Sequence, residues 1–285
     1  MKNTSVNIVG RLSTELVALY ADIQTHAEEL NIDILVIGAM VRDLVLVYGF
    51  DADVERVTLD LDFGINVARW DEFNALKESL MEVGYAADGR ILHRLTREDK
   101  DGVPRDIDII PFGKIADQNN RISWPPREDI VMNVHGFAEA FEHALEVQIS
   151  EAPDIIIPVV SPEGFALLKL VSWLDREVEL RPKDATDFRY LIQNYRKIPE
   201  ISDALYKKGY MEAQESDVLN ASAMKLGEDV AAIASQESIK LLENELFKQP
   251  DITEEFIREM QGDGNRSLRQ YAEWFGIFTK SCLGD

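Results

Sequence analysis

The sequence predicts an α+β protein in which a mixed sheet flanked by helices is followed by a mostly helical C-terminal part. Two observations support this fold class. Up to about residue 160, short apolar or alternating segments typical of strands are interleaved with segments of helical spacing. From Ser161 onward, helical patterns dominate and the chain is acidic. We therefore expect two domains, residues 1–160 and residues 161–285.

The first three elements are predicted between residues 12 and 50. Apolar side chains recur at spacings of three and four from residue 12 to residue 30, which predicts an amphipathic helix beginning near Ser13 or Thr14. Residues 33–37 form a short apolar run, as expected of a buried strand. Gly38 and Ala39 then form a small-residue turn, and residues 40–48 are expected to be helical.

The next predicted strand, residues 56–66, alternates between apolar and polar side chains. The apolar positions are Val57, Leu59, Leu61, Phe63 and Ile65, and the polar positions include Arg56, Thr58, Asp60 and Asp62. Because successive side chains of a strand point to opposite faces, the carboxylates of Asp60 and Asp62 are expected on one face.

The remaining elements are predicted from shorter patterns. We expect helices at residues 71–83, 136–141, 161–174 and 184–195, strands at residues 90–97, 105–110, 144–149 and 155–160, and a loop at residues 115–130. The strand at residues 105–110 is expected to end at Pro111, and the chain beyond residue 195 to be largely helical.

Composition narrows the function. Lys and Arg number 30 and Asp and Glu number 52, so the formal net charge is −22. This charge opposes general adhesion to nucleic acid, although it permits a local basic groove and a site that recruits divalent metal. Cys282 is the only cysteine, so an intrachain disulfide is excluded. No signal peptide or membrane-spanning segment is recognisable, and we expect a cytoplasmic protein without a membrane partner.

Two pairs of aspartates suggest metal chemistry. Asp60 and Asp62 are two residues apart, and Asp106 and Asp108 repeat this spacing on a later predicted strand. If the strands are neighbours, several carboxylates converge, and hard oxygen ligands of this kind suit Mg²⁺ or Mn²⁺. Such ions assist phosphoryl and nucleotidyl transfer. The structural alternative is a strand with one solvated face, which also shows alternating aspartates.

The order of these residues resembles a known superfamily. A strand followed by Gly38-Ala39, then Asp60-x-Asp62, then a strand aspartate at Asp108 is similar to the DNA-polymerase-beta-type nucleotidyltransferases. The segment Arg56-x-Thr58-x-Asp60-x-Asp62-Phe63 more narrowly resembles the AbiEii toxin-type nucleotidyltransferases, as do Lys169 in its apolar segment and Lys183-Asp184-x-x-Asp187. The resemblance covers roughly residues 33–195.

The resemblance implies a role for each matching position. Asp60, Asp62 and Asp108 would bind the catalytic metals, and Asp108 would also orient or deprotonate the acceptor hydroxyl; two-residue periodicity alone leaves Asp106 as the alternative. The nucleotide would be bound by Gly38, Ala39, Thr58 and Lys169. Asp184 would support Lys169 or act in catalysis. From the residues alone, Lys169 is expected to extend along an apolar surface, and Asp184 could equally complement a helix dipole.

One departure concerns the turn. Ala39 stands where the family usually has Gly or Ser. The segment Gly38-Ala-Met-Val-Arg-Asp43 also resembles the Gly-Gly-x-Val-Arg-Asp motif of the CCA-adding tRNA nucleotidyltransferases. The separation of Asp43 and Asp60 is longer than is usual in those enzymes, and the negative charge argues against a tRNA-wide contact surface.

The expected function is therefore metal-dependent transfer of a nucleoside monophosphate from a nucleoside triphosphate (NTP). The acceptor could be a tRNA, a protein or a small molecule, and the resemblance implies the toxin of a toxin–antitoxin or phage-defence pair with an antitoxin partner. The alternative is a catalytically weak nucleotide-binding or protein-interaction module of the same fold.

Overall fold

A computed structural model describes residues 5–56, 58, 60–98 and 102–284. The chain forms two compact units. The first contains the described residues up to Gly49 together with Asp53–Ser161, and the second begins at Pro162. The short segment Phe50–Ala52 belongs to the second unit, which no sequence pattern indicated.

The strands of the first unit form a mixed sheet, which confirms the predicted fold class. The described strands are β1 Ser5–Asn7, β2 Asp33–Ile37, β3 Leu61–Asn66, β4 Ala86–Ala87, β5 Arg94–Glu98, β6 Pro104–Phe112, β7 Arg121–Ser123, β8 Val131–Asn133, β9 Leu145–Glu151 and β10 Asp154–Val159. Among them, β7 and β8 form a separate hairpin, and the other eight form one sheet in the order β1-β9-β10-β2-β3-β6-β5-β4. Strand β3 is antiparallel to β2 and parallel to β6, and β6 is antiparallel to β5.

Helices accompany this sheet. They are α1 Thr14–Glu29, α2 Trp70–Glu82 and α3 Phe137–Glu142, with a π-helix at Arg42–Gly49. The hydroxyl of Ser13 accepts a hydrogen bond from the Leu16 amide at 3.2 Å, so α1 begins with the side-chain cap that the sequence predicted. Tyr20 of α1 packs edge-on against Phe63 of β3, with ring centroids 5.8 Å apart, which anchors α1 on the sheet.

Strand β3 is shorter than predicted, and this corrects the expectation for Asp60. The strand begins at Leu61, so Asp60 precedes it instead of sharing its pleat with Asp62. Neighbouring β2 ends at Ile37, opposite Asp62, because Gly38 turns the chain away with φ +70°. Asp60 therefore has no β2 partner. Val57 and Leu59, two apolar positions of the predicted alternation, lie outside the described residues.

Four further elements differ from the prediction: β6 and α5 in where they end or begin, and β7 and β1 in being strands that were not predicted. Strand β6 runs through Pro111. Proline has no backbone N–H, and none is needed to bond β5 at this position, because the pairing of β6 with β5 stops at Asp108. Strand β7 lies inside the predicted loop, and β1 was not predicted. Helix α5 begins at Arg181, three residues earlier than expected.

The second unit is helical, as predicted. Its helices are α4 Pro162–Asp175, α5 Arg181–Asn194, α6 Pro199–Lys207, α7 Tyr210–Ala213, α8 Val218–Ile233, α9 Gln236–Leu242, α10 Pro250–Gln261 and α11 Leu268–Leu283, with a 3₁₀ turn at Tyr195–Lys197 and a π-helix at Glu243–Phe247. Phe188, Phe256, Phe275 and Phe278 form an aromatic cluster in its core. In the described part of the chain, no helix is long and apolar enough to cross a membrane.

Candidate active site

The candidate site is a row of residues across four neighbouring strands. Ile37 of β2 is paired with Asp62 of β3, Asp62 with Asp108 of β6, and Asp108 with Arg94 of β5. Paired residues of adjacent strands point to the same face, and neighbouring strands lie about 4.8 Å apart. The register thus places Asp62 beside Asp108, whereas Asp106 lies two residues earlier on β6.

Gly38 is in direct contact with Asp62. A Cβ built on Gly38 would lie only 2.5 Å from Asp62 Cγ and still closer to Oδ2. The left-handed backbone at φ +70° also favours glycine at this position. The family resemblance implied that Gly38 binds the nucleotide. The structure adds that only a glycine leaves room for the Asp62 carboxylate.

The segment before Asp60 is fastened by a buried arginine of the π-helix. Arg42 donates hydrogen bonds from Nη2 to the Arg56 carbonyl and to Thr58 Oγ1, each at 2.8 Å. Its Nε contacts Asp43 Oδ1 at 3.0 Å. Thr58, predicted to bind nucleotide, is thus a hydrogen-bond acceptor for Arg42, and Arg42 holds the Asp60 segment against the helix that follows Gly38.

Arg94 binds the third predicted carboxylate, and sequence reasoning missed it. Its Nε and Nη2 donate to the two oxygens of Asp108 at 2.7 and 2.8 Å, and its Nη1 donates to Asp106 Oδ2 at 2.9 Å. Thr96 donates to the other Asp106 oxygen at 3.2 Å. The hydrogen bonds to Asp108 are the largest cause of a raised Arg94 pKa, and Asp60 contributes to the same shift.

His93 lies beside Asp108 and packs against Trp124. The ring of His93 lies 5.4 Å from that of Trp124, and its Nε2 is 3.9 Å from Asp108 Oδ2. Burial lowers the pKa of His93, and the negative charge of Asp108 partly opposes this effect.

On α1, the hydroxyl of Tyr20 is buried without a hydrogen-bond partner among the described residues. Burial, together with nearby Asp62 and Asp43, raises the pKa of this tyrosine.

The carboxylates have suitable chemistry for Mg²⁺ or Mn²⁺ but do not form a closed cage. Oxygen donors of Asp62 and Asp108 are neighbours in the sheet, and exposed Asp60 precedes Asp62 by two residues. Mg²⁺ typically takes one or two carboxylates and completes its shell with water and phosphate oxygens. Within the described ranges, no cluster of three or more His, Cys, Asp or Glu side chains is already arranged around a common point. The aspartate oxygens therefore suit a Mg²⁺ or Mn²⁺ ion that arrives bound to the phosphates of a nucleotide.

Lys169 and Asp184 lie together in the second unit. The Lys169 ammonium on α4 is 2.8 Å from Asp184 Oδ1 and 2.8 Å from Asp187 Oδ2 on α5. Arg176 Nη1 and the Ser172 hydroxyl each lie 3.3 Å from the other Asp184 oxygen. Burial lowers the pKa of Lys169, but its two carboxylate partners more than offset this effect, so that the net shift is upward. This ion cluster joins α4 to α5.

The mixed sheet, in which Gly38 and Asp62 are in contact and Asp62 and Asp108 are register partners, agrees with the nucleotidyltransferase class that the sequence predicted. Comparison with protein families identifies the family. The model described as "Nucleotidyl transferase AbiEii toxin, Type IV TA system" matches residues 25–273, and the chain belongs to this family. No curated protein is significantly similar in sequence.

Several solved structures are distantly similar. The lincomycin-bound lincosamide antibiotic adenylyltransferase LnuA has 16% identity and a TM-score of 0.37, with 63% of this chain and 96% of that chain covered. The antibiotic-resistance factor ANT(2'')-Ia has 16% identity and a TM-score of 0.34, with 72% and 97% covered. The Thermotoga maritima CCA-adding enzyme complexed with tRNA has 12% identity and a TM-score of 0.28, with 97% and 84% covered.

Proposed function

We propose that the chain transfers a nucleoside monophosphate from an NTP to a hydroxyl acceptor with the help of Mg²⁺ or Mn²⁺, and that Asp60, Asp62 and Asp108 are the carboxylates of this reaction. Family membership supports the transferase class. The observation that carries the site assignment is the register of β3 and β6, which makes Asp108 the neighbour of Asp62 beside the Gly38 turn.

The proposed reaction joins the acceptor oxygen to the α-phosphorus and breaks the bond between the α-phosphorus and the bridging oxygen of the leaving group, so that pyrophosphate leaves. An oxygen of Asp108 accepts or orients the acceptor proton. Asp60, Asp62 and Asp108 would hold the divalent ion, which supplies charge neutralisation for the phosphates and the leaving group. The backbone at Gly38 and Ala39, which carries no bulky side chain, leaves room for phosphate oxygens near these amides.

Phosphate binding by Lys169 and a catalytic role for Asp184 rest on the family motif alone. The contacts of Lys169 with Asp184 and Asp187 support a second role, the joining of α4 and α5. Substitution of Lys169 separates the two roles. If Lys169 binds phosphate, its loss lowers nucleotide affinity; if it is an internal ion-pair partner, its loss lowers folding stability.

Labelled nucleotides test the transfer directly. Each NTP, labelled at the α- or the γ-phosphate, is incubated with the protein, Mn²⁺ or Mg²⁺, and separate pools of tRNA, protein and small hydroxyl compounds. We expect covalent incorporation of the α-label but not of the γ-label, with release of pyrophosphate. Incorporation of the γ-label would indicate phosphoryl transfer and would overturn the proposed reaction.

Substitutions identify the carboxylates. Asp62→Asn and Asp60→Ala should abolish incorporation. Asp33→Asn is the matched control, because Asp33 is exposed and lies at the opposite end of the paired strand β2, facing Asn66. Unchanged transfer by Asp60→Ala would remove Asp60 from the proposed metal ligands.

The description of the family supports a biological extension of this proposal. We propose that the chain is the toxin of a toxin–antitoxin or phage-defence pair, with tRNA, a protein or a small molecule as acceptor. In such a pair, the transferase activity is the toxic activity, so the same aspartates should be required for both.

A second candidate is nucleotide binding without transfer. The observation that favours it is the engagement of both Asp108 oxygens by Arg94, which leaves neither oxygen without a charged partner. Tight binding of NTP with Mg²⁺, without pyrophosphate release in any acceptor pool, would support this candidate over transfer.

A further inference from the structure

The guanidinium of Arg94 takes the position that a metal ion would need to share at Asp108. Its two donors to Asp108, at 2.7 and 2.8 Å, form the two-pronged pairing that is the strongest arrangement between arginine and a carboxylate. Only 24% of the Arg94 side chain and 13% of the Asp108 side chain are exposed. Water therefore screens this pair only in part.

Neighbouring residues hold Arg94 in this position. Asp106 accepts its third hydrogen bond at 2.9 Å, and Thr96 fixes Asp106 from β5. Since Arg94 and Thr96 are register partners of Asp108 and Asp106, the backbone pairing of β5 and β6 sets the geometry of all four side chains. The ion pair is thus built into the sheet.

We propose that Arg94 is an internal counter-cation that competes with divalent metal for Asp108 and so sets the cation affinity of the site. The proposal rests on the proposed function, because it takes Asp62 and Asp108 as metal ligands. A cation held by both aspartates either displaces one Arg94 hydrogen bond at Asp108 or binds the remaining lone pair of an Asp108 oxygen, and in both cases it is repelled by the nearby positive charge of Arg94. Asp106 keeps the displaced guanidinium close by, so that the exchange is reversible.

This competition makes Arg94 a positioning residue with an effect opposite in sign to that of a ligand. Loss of a metal ligand weakens metal binding, whereas loss of a competing cation strengthens it. Replacing Arg94 with glutamine should lower the Kd for Mn²⁺ by about tenfold, as expected for loss of a partly buried ion pair. Arg94→Lys keeps the charge but loses the fork, so it should tighten binding by a smaller factor.

The experiment measures Mn²⁺ binding by electron paramagnetic resonance, with the full chain, Mn²⁺ alone and no nucleotide. Arg97→Gln is the matched control for loss of one positive charge from β5. Arg97 is three residues from Arg94, on the other face of the strand, where it contacts Asp22 and covers the ring of Tyr85. The Kd of Arg97→Gln for Mn²⁺ should stay within about twofold of the wild-type value.

A double-mutant cycle separates competition at Asp108 from a general effect of charge. In the Asp108→Asn background, Arg94→Gln should no longer tighten Mn²⁺ binding, because the shared carboxylate is absent. The same tightening in both backgrounds, or equal or weaker binding by Arg94→Gln in the wild-type background, would overturn the proposal. If circular dichroism shows that Arg94→Gln does not fold, Arg94→Lys is used instead, and its Kd for Mn²⁺ is compared in the wild-type and Asp108→Asn backgrounds.

Asp62→Asn distinguishes this failure from failure of the proposed function. Binding that depends on Asp62 but not on Arg94 overturns the competition alone. Mn²⁺ binding that does not depend on Asp62 overturns both the proposed metal site and the competition. No Mn²⁺ binding by wild type and Arg94→Gln alike overturns the competition alone, because the proposed function lets the ion arrive with the nucleotide.

Discussion

Lys169 gives the sharpest prediction about stability, because it tests whether a motif lysine is chiefly a structural ion. We consider Lys169→Met, which keeps an unbranched side chain of similar length and removes the charge. Lys169 is 9% exposed, and its partners Asp184 and Asp187 are 0% and 2% exposed. The substitution leaves two carboxylates in the protein interior without their shared cation.

The magnitude follows from this burial. Breaking a buried ion pair by removing one partner costs roughly 3–5 kcal/mol, since the remaining charge is desolvated and uncompensated. Arg176 and Ser172 still contact Asp184 at 3.3 Å, which places the expected loss at the lower end, about 3 kcal/mol. This is a large part of the free energy of unfolding of a typical domain, which is about 5–15 kcal/mol.

The assay is urea unfolding followed by circular dichroism and tryptophan fluorescence, with Trp173 and Trp274 as probes in the second unit. Lys207→Met is the matched control: Lys207 forms an i,i+4 pair with Asp203 in which both side chains are about 70% exposed, and it should cost less than about 1 kcal/mol. A loss below about 1 kcal/mol for Lys169→Met, combined with weaker NTP binding, would refute the structural role and favour phosphate binding.

Two further predictions concern the site and its biology. Gly38→Ala should lower both transfer and stability more than Gly10→Ala. Both glycines have positive φ (+70° and +76°), so alanine costs about 1–2 kcal/mol of backbone strain at either position, but only the methyl introduced at position 38 would overlap Asp62. Equal losses for the two variants in unfolding and transfer assays would contradict the steric argument. Induced expression of the wild-type chain or of Asp33→Asn in a bacterial host should arrest growth, whereas expression of Asp62→Asn should not. Growth arrest by all three proteins would show that toxicity does not depend on the proposed reaction.

Local patterns predicted the elements of the site well. The apolar run before Gly38 and the alternation around Asp62 and Asp108 depend on neighbouring residues only, and each was found as a strand. Two-residue periodicity left Asp106 open, and Asp108 was preferred through the family resemblance. The proposal of Asp108 now also rests on the register of β3 and β6, which periodicity cannot provide. The departure of Asp60 from β3 likewise depends on where its neighbour β2 ends.

Local sequence alone could not predict the partners of the charged residues, and only the family resemblance implied the pairing of Asp184 with Lys169. Arg94 contacts Asp108 through the pairing of β5 with β6, and nothing in the local sequence around Arg94 distinguishes it from Arg97 on the same strand. The spacing of Asp184 and Asp187 indicated a shared helix face. That this face meets Lys169 is a result of how α4 packs on α5, which depends on tertiary contacts.

The central claim is that the sheet carboxylates perform nucleotidyl transfer, and one comparison tests it most directly. The initial rate of α-label incorporation is measured for the wild-type, Asp62→Asn and Asp33→Asn proteins at equal concentration with Mg²⁺ or Mn²⁺, after circular dichroism has shown that all three are folded. We expect the rate of Asp33→Asn to match that of the wild type. The rate of Asp62→Asn should fall by about 10²–10³-fold, as is typical when an enzyme loses one group that stabilises charge in the transition state. Equal rates for Asp62→Asn and Asp33→Asn would contradict the assignment of the site.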